Sequence, residues 1–313
     1  MRRIVYVSWP AAEISGGIKA AFQHVELLGE AGLDAAVATA DAMAPGWFET
    51  SAKIIRLEEV RPGDVLVFPE NNAQLLRAFA AAGNPKLVFC QNPFQVFRGV
   101  EGMSSFADTG VTHIMCPSHT VMLYCRRRFP GLKLAYTPFF VDHSRFAWRP
   151  DKVLQIATIP RKRPMEFGAI ADLFRASYPQ HSDVPWVYAH QATEAQVADS
   201  MGRSAVFLSL ARMEAHAMIT LEAMASGCVL AGFTGVAGGT DSATARNGFW
   251  AGEDDLAACV DQLARAVQLA RDRGPVYDEM VAEGRRTAWE YRREESARRL
   301  LQFWRATLPE LAA

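Results

Sequence analysis

The chain has 313 residues, of which 50% are hydrophobic, and its 33 Lys and Arg against 34 Asp and Glu give a formal net charge of −1. This composition is that of a globular protein and, at roughly 150 residues per domain, predicts one large or two medium domains. Residues 1–150 carry 15 basic and 13 acidic side chains, so the first half has no strong positive field. The charge balance therefore argues against a dedicated nucleic-acid binder.

The sequence also argues against a membrane span and a secretory signal. Its longest uncharged apolar stretches, such as 228–233, are far shorter than the ~20 residues that cross a bilayer. The apolar segment after Arg2 and Arg3 is too short for a signal peptide. The cysteines are five, an odd number without a C-x-x-C motif, which favours small buried hydrophobic residues in a reducing compartment. We therefore expect a cytoplasmic protein.

Apolar runs of strand length alternate with helical periodicity through the first half of the chain. The predicted strands are 3–8, 35–39, 53–57, 64–68, 86–90, 113–117 and 134–137. Helices are predicted from about Ile18 to a stop at Gly32, over 73–82 and over 119–129. Continuous apolar strands separated by helices favour a parallel sheet that is covered on both faces.

An aperiodic segment over 139–152 is predicted to connect two domains, and the alternation then resumes. The predicted strands of the second half are 153–159, 186–189, 205–210 and 228–233, and the helices are 165–178, 194–201, 218–225, 256–271 and a charged tail from Tyr277. This pattern predicts two doubly wound α/β domains over 1–143 and 150–294, with ligands at the carboxyl ends of the strands. A helix over about 295–313 is expected to pack back on the first domain.

The segment from Ser209 to Cys228 is the most informative for function. It predicts a strand, a loop that carries Glu214, and a helix that starts near Met218 and has Glu222 about one turn in. Amide groups at a helix start bind anions, so a phosphate between two hydroxyl-binding carboxylates would suit a nucleotide sugar. Taken alone, the two glutamates are better interpreted as an ordinary surface residue of a loop and an ordinary helix residue.

Several further motifs accompany these two glutamates along the chain. Glu214 and Glu222 form E-x₇-E, followed by Ala-Met-Ala-Ser-Gly-Cys; Gly235-Val-Ala-Gly-Gly239 and Asn247-Gly-Phe-Trp come after it. Ser15-Gly-Gly opens the first predicted helix, and Tyr136-Thr-Pro-Phe-Phe-Val-Asp142 ends the first domain. From about residue 3 to 300 the chain resembles the retaining GT-B glycosyltransferases of group 1, family four.

The resemblance implies an α/β fold of the GT-B type, with two Rossmann-like domains facing a cleft. The first domain would be the acceptor side and the second would bind the donor. In this family the Gly-Gly segment forms a turn and the Asn-Gly-Phe segment forms a hairpin. We therefore expect a glycine turn over 235–239 and a hairpin at 247–250.

A basic segment, Ile159-Pro-Arg-Lys-Arg-Pro164, directly follows a predicted strand. Arginine binds phosphates through paired donors and lysine does so as a point charge. In the family, a basic pair at this place binds the donor phosphates and stabilises the departing diphosphate. The resemblance assigns Arg161 and Lys162 this role, with Arg163 as a third candidate; the alternative is a solvated basic turn.

The resemblance implies a catalytic set of Arg161, Lys162 and Glu214. It implies a donor-binding set of Gly16, Gly17, Asn92, Arg163, His216, Ala217, Met218 and Glu222. Glu214 would hold hydroxyl groups of the donor sugar and Glu222 those of the ribose.

Two positions depart from the family. Ala215-His216-Ala217 replaces the glycines found in many relatives, and Asn92 stands where many carry a histidine. Asparagine forms hydrogen bonds to hydroxyl groups but does not titrate near neutral pH. These departures are compatible with an unusual donor or with a loss of activity.

The implied function is transfer of a hexose from a nucleoside-diphosphate sugar to an acceptor hydroxyl with retention, in polysaccharide or glycoconjugate synthesis. The enzyme would need no metal and no cofactor besides this co-substrate. We expect a glycan or lipid-linked acceptor and no nucleic acid. For the arginines at 126–128 a solvated helix end is the favoured interpretation, and contact with an anionic acceptor or a membrane surface is the alternative. The alternatives are a catalytically silent GT-B module that binds a nucleotide or a partner, and a GT-B nucleotide-sugar epimerase.

Overall fold

The computed structural model describes residues 2–189 and 191–308. The chain divides into two compact units. Unit 1 contains Met1–Phe140 together with Arg293–Ala313, and unit 2 contains Val141–Arg292. The last residues of the predicted tail helix, 309–313, lie outside the described residues.

Unit 1 is built on a parallel sheet of short, mostly buried strands. They are β1 (Ile4–Val7), β2 (Ala35–Thr39), β3 (Ile54–Arg56), β4 (Val65–Pro69), β5 (Lys86–Phe89), β6 (Val111–Cys116) and β7 (Lys133–Tyr136). Their order is β3-β2-β1-β4-β5-β6-β7. The order reverses between β1 and β4, so the loops after these two strands lie at the topological switch point.

The helices of unit 1 are α1 (Gly16–Glu30), α2 (Ala73–Ala78), α3 (Val96–Gly99), α4 (His119–Arg128) and, from the end of the chain, α10 (Arg293–Thr307). Helix α10 packs into the core of unit 1, because Leu300 and Trp304 are fully buried and the Trp304 ring meets the Tyr6 ring edge-on at 6.5 Å. Among the described residues, every helix lacks the length or the apolarity that crossing a bilayer requires.

Unit 2 also has a parallel sheet. Its strands are β8 (Val153–Thr158), β9 (Trp186–Tyr188), β10 (Ser204–Ala211), β11 (Val229–Thr234) and β12 (Phe249–Ala251), in the order β12-β11-β10-β8-β9. Its helices are α5 (Pro164–Ser177), α6 (Glu194–Arg203), α7 (Met218–Ala225), α8 (Leu256–Asp272) and α9 (Pro275–Trp289). The switch point lies between β8 and β10, and β10 is buried over its whole length.

The prediction of a hairpin at 247–250 is wrong. Strand β12 pairs with β11 in parallel, with Ala231 opposite Phe249, so the two strands are not joined by a tight turn. The buried Asn247 instead closes a loop, because its Nδ2 donates to the Ser242 carbonyl at 2.8 Å and to Thr287 Oγ1 at 3.1 Å.

From Val141 onward, the aperiodic segment predicted as a connection packs within unit 2. Phe146 is fully buried, and Arg149 forms an ion pair with Asp199 at 2.9 Å. The Trp148 ring covers Gly227, where a β-carbon would lie 2.3 Å from a ring carbon. These contacts are irregular along the sequence, which explains why no periodicity marks them.

Candidate active site

The unit 2 switch point brings together two of the predicted catalytic residues. Lys162 ends a 3₁₀ turn, Pro160–Lys162, that follows β8, and Glu214 lies in the loop that follows β10. Lys162 Nζ is 2.6 Å from Glu214 Oε1, and the side chains are 34% and 14% exposed, respectively. Arg161, the third predicted catalytic residue, is exposed on the same turn. A basic and an acidic group thus share the carboxyl edge of the sheet.

The backbone around Glu214 is fixed by the loop that follows β11. The Glu214 amide donates to the Val236 carbonyl at 3.1 Å, and the Gly238 amide donates to the Glu214 carbonyl at 2.9 Å. Gly235 has a φ of +73°, and a β-carbon on it would lie 2.9 Å from Glu214 Cγ. Gly239 is equally constrained, because its β-carbon would lie 2.1 Å from the Thr234 carbonyl oxygen. Gly235 and Gly239 of the predicted turn are therefore required for close approach.

Arg163 occupies a different environment from its two basic neighbours. Its side chain is fully buried and forms ion pairs with Glu253 and Asp254, and its Nε donates to the Ala211 carbonyl at 3.0 Å. A third carboxylate, that of Glu166, lies 3.5 Å from its Nη1. The Arg163 guanidinium lowers the pKa of Asp254 by hydrogen bonding to it. This burial argues against the donor-binding role predicted for Arg163 and favours a structural one.

Glu253 is a residue that the sequence analysis missed. One carboxylate oxygen pairs with Arg163, while the other accepts from the Gly235 amide at 3.0 Å. Gly235 in turn lies against Glu214, so Arg163 and Glu253 hold the loop on which Glu214 depends. The helix predicted over 256–271 is α8, and Asp255 caps it by accepting from the Ala258 amide at 2.9 Å.

The predicted donor-binding residues around the start of α7 are mostly buried. His216 packs its ring against Tyr291 at a centroid distance of 4.7 Å, and Glu222 is 4% exposed. Ala217 is the N-cap residue, and the Met218 amide donates to the His216 carbonyl at 2.9 Å. The amide of Met218 is therefore engaged within the loop. A phosphate would bind it only by displacing that hydrogen bond, so this role stays a prediction.

Unit 1 places Gly16 and Gly17 at its own switch point, and Asn92 in the loop after the neighbouring strand β5. Gly17, the second residue of α1, packs against Gln91. Gln91 Nε2 donates to the Gly17 carbonyl at 2.7 Å, and a β-carbon on Gly17 would lie 2.4 Å from Gln91 Oε1. A β-carbon on Gly16 would meet open space, so Gly16 is not required for this contact. Asn92 caps the next turn, because its Oδ1 accepts from the Phe94 amide at 3.0 Å.

The sequence analysis missed Glu70, which follows β4 and is 3% exposed. Its Oε2 accepts from the Gln91 amide at 2.9 Å. Burial raises the pKa of Glu70 to about 7, against the opposing effect of hydrogen bonds from the backbone. Glu70 and Gln91 together fix the glycine turn at Gly17. Glu70 comes immediately after a buried strand, and this position is the signal that would have identified it.

In the part of the chain that the structure describes, no three His, Cys, Asp or Glu side chains are arranged to hold a metal ion. The cysteines are all free and buried: Cys90, Cys116, Cys125, Cys228 and Cys259.

Both units are α/β with a parallel sheet and a glycine turn near the switch point, and unit 2 adds the Lys162–Glu214 pair. No family model matches the chain. It is 26% identical over 278 residues to an alpha-1,6-glucosyltransferase of Actinobacillus pleuropneumoniae serotype 7 (strain AP76), which covers 84% of this chain and 83% of the relative. The resemblance to glycosyltransferases that the motifs indicate is thus confirmed.

Two solved structures share the fold. Sucrose-phosphate synthase from Thermosynechococcus elongatus matches with a TM-score of 0.72 at 14% identity, covering 99% of this chain and 100% of that one. A variant of S. aureus TarM, in complex with Fondaparinux, alpha-GlcNAc-glycerol and UDP, matches with a TM-score of 0.62 at 12% identity. The match covers 78% of this chain, which spans about half of TarM (55%). The chain has the GT-B fold.

Proposed function

We propose that the protein is a retaining glycosyltransferase that transfers a hexose from a nucleoside-diphosphate sugar to an acceptor hydroxyl. The observation that carries the proposal is the Lys162–Glu214 pair at the switch point of unit 2, in a chain with the GT-B fold. The sequence similarity to an alpha-1,6-glucosyltransferase supports the same reaction class. That relative and the UDP in the TarM complex make UDP-glucose the first donor to test.

In the proposed reaction, the bond between the anomeric carbon and the diphosphate oxygen breaks. The acceptor oxygen forms its bond to the same face of the sugar and gives its proton to the departing oxygen. Arg161 and Lys162 neutralise the negative charge that grows on the diphosphate, and Glu214 orients the hexose through its hydroxyl groups. Positioning and electrostatic stabilisation of this kind need no cofactor besides the nucleotide sugar. We therefore propose a reaction without a cofactor and without a metal ion.

We propose that the acceptor is a glycan or a lipid-linked glycan and that the protein makes peripheral contact with a membrane surface. Helix α4 supports it, because Leu123 (56% exposed) and Tyr124 (38% exposed) share one face with Arg127 and Arg128. Apolar and basic side chains on one helix face suit an anionic interface. Free cysteines, all of them buried, support a cytoplasmic location.

Nucleotide binding is the first test of this function. The wild-type protein is screened with UDP, GDP, ADP and dTDP and with the glucose conjugate of each. We expect one of these nucleotides, free or as its glucose conjugate, to raise the melting temperature. A ligand at a hundred times its Kd stabilises a protein by about 2.7 kcal/mol. The absence of a shift with every nucleotide at millimolar concentration would contradict a donor site.

Calorimetric titration with the nucleotide that stabilises the protein tests the ribose role of Glu222. Hydrogen bonds to a charged group contribute about 1.5–3 kcal/mol, so Glu222→Gln should weaken nucleotide binding about tenfold or more. Glu279→Gln, an exposed position on α9, is the matched control and should bind as wild type does. Equal affinity of Glu222→Gln and wild type by calorimetry would count against the ribose role.

A further inference from the structure

The Lys162–Glu214 ion pair joins two groups that the proposed reaction uses separately. Lys162 Nζ lies 2.6 Å from Glu214 Oε1. The pair is partly shielded, because the Lys162 and Glu214 side chains are 34% and 14% exposed. Partial removal from water strengthens the attraction between them, and the ammonium group neutralises the carboxylate. As long as this contact is formed, the Lys162 ammonium group is paired with a carboxylate and does not bind a phosphate.

The two partners differ in their freedom to move. Glu214 is held through its own amide and carbonyl, and Gly235 lies against its Cγ. Gly235 is fixed in turn, because its amide donates to Glu253, which pairs with the buried Arg163. Lys162 ends a three-residue turn and carries its charge on a flexible four-carbon side chain. When the pair opens, it is therefore the ammonium group that moves.

A diphosphate is a stronger partner for that ammonium than a single carboxylate. It carries at least two negative charges and several acceptor oxygens, and lysine binds phosphate as a point charge. Arg161, exposed on the same turn, adds a second cation for the diphosphate. The carboxylate of Glu214 then loses its ammonium partner and becomes available to accept from hydroxyl groups.

We propose that Glu214 and the donor diphosphate compete for Lys162, so that donor binding transfers the ammonium from the carboxylate to the phosphates and releases Glu214 for the hexose. The proposal rests on the proposed function and adds a coupling between the two residues. It has a consequence for product release. A diphosphate that has lost its sugar no longer occupies Glu214, which reclaims Lys162 and weakens the hold on the product.

The competition predicts opposite effects of one substitution on binding and on turnover. Glu214→Gln removes the competing charge, so it should bind inorganic pyrophosphate and UDP at least threefold more tightly than wild type in calorimetry. It should also lower kcat at least tenfold, because it loses the carboxylate that orients the hexose. Glu279→Gln should change neither quantity.

A double-mutant cycle separates competition from simple repulsion between Glu214 and the phosphates. In a Lys162→Met background, competition predicts that Glu214→Gln gives no gain in pyrophosphate affinity, whereas repulsion predicts the same gain as in wild type. An equal gain in both backgrounds overturns the proposal, as does a Glu214→Gln protein that binds pyrophosphate no more tightly than wild type. If wild type binds neither pyrophosphate nor any nucleotide, the proposed function fails as well.

Discussion

Replacing Lys162 with alanine is expected to lower sugar-transfer turnover at least tenfold while the protein stays folded. A tenfold loss corresponds to about 1.4 kcal/mol of transition-state stabilisation, which is modest for a cation placed beside a departing diphosphate. The fold should persist because Lys162 is 34% exposed, and an ion pair at such a position contributes little to the free energy of unfolding. Turnover is measured at saturating donor, alongside a thermal unfolding curve.

The control for Lys162→Ala is Arg175→Ala. Arg175 is an exposed cation in the last turn of α5, and its replacement changes the net charge of the protein equally. Arg175→Ala should retain wild-type turnover. Wild-type turnover in Lys162→Ala would contradict the assignment of this residue to the diphosphate.

Replacing Arg163 with methionine is expected to destabilise the protein by about 3 kcal/mol. Removing one partner of a buried ion pair costs about 3–5 kcal/mol, since it leaves the other charge uncompensated. The lower end applies because Glu253 and Asp254 are 27% and 64% exposed and keep part of their hydration. For a unit of about 150 residues this loss lowers the melting temperature by roughly 6–12 °C.

Arg212→Met provides the matched comparison for Arg163→Met. Arg212 also pairs with Glu166, at 2.6 Å, but it is 41% exposed. Exposed pairs contribute about 0–1 kcal/mol, so this variant should unfold close to wild type. Similar melting temperatures for Arg163→Met and Arg212→Met would refute the structural role of Arg163.

The elements of both sheets could be predicted because buried parallel strands are continuous apolar runs. Residues 35–39 and 218–225 were predicted with the bounds that the structure has. The prediction fails for β12 (Phe249–Ala251), because the resemblance assigned 247–250 to a hairpin. The parallel pairing of β12 with β11 depends on contacts between residues that are distant in sequence, such as Ala231 and Phe249.

The site was harder to predict than the fold, because it depends on contacts between distant residues. Sequence alone does not rank Arg161, Lys162 and Arg163, which are consecutive and of like charge. Glu253 and Asp254, about ninety positions away, bury Arg163. The contact of Gln91 with Gly17 is similarly remote in sequence. By contrast, E-x₇-E located Glu214 correctly in the loop after β10, because its spacing spans one loop and the first turn of one helix.

Direct observation of sugar transfer tests the central claim. The wild-type protein is incubated with the ¹³C-labelled nucleotide sugar that stabilises it most and with a panel of mono- and disaccharide acceptors, and the anomeric signals are followed by NMR. The account predicts a new glycosidic signal with the anomeric configuration of the donor, formed in step with one equivalent of nucleoside diphosphate. A product of inverted configuration would contradict retention. A bound donor that stays intact with every acceptor, or that is converted only to its epimer, would contradict glycosyl transfer itself.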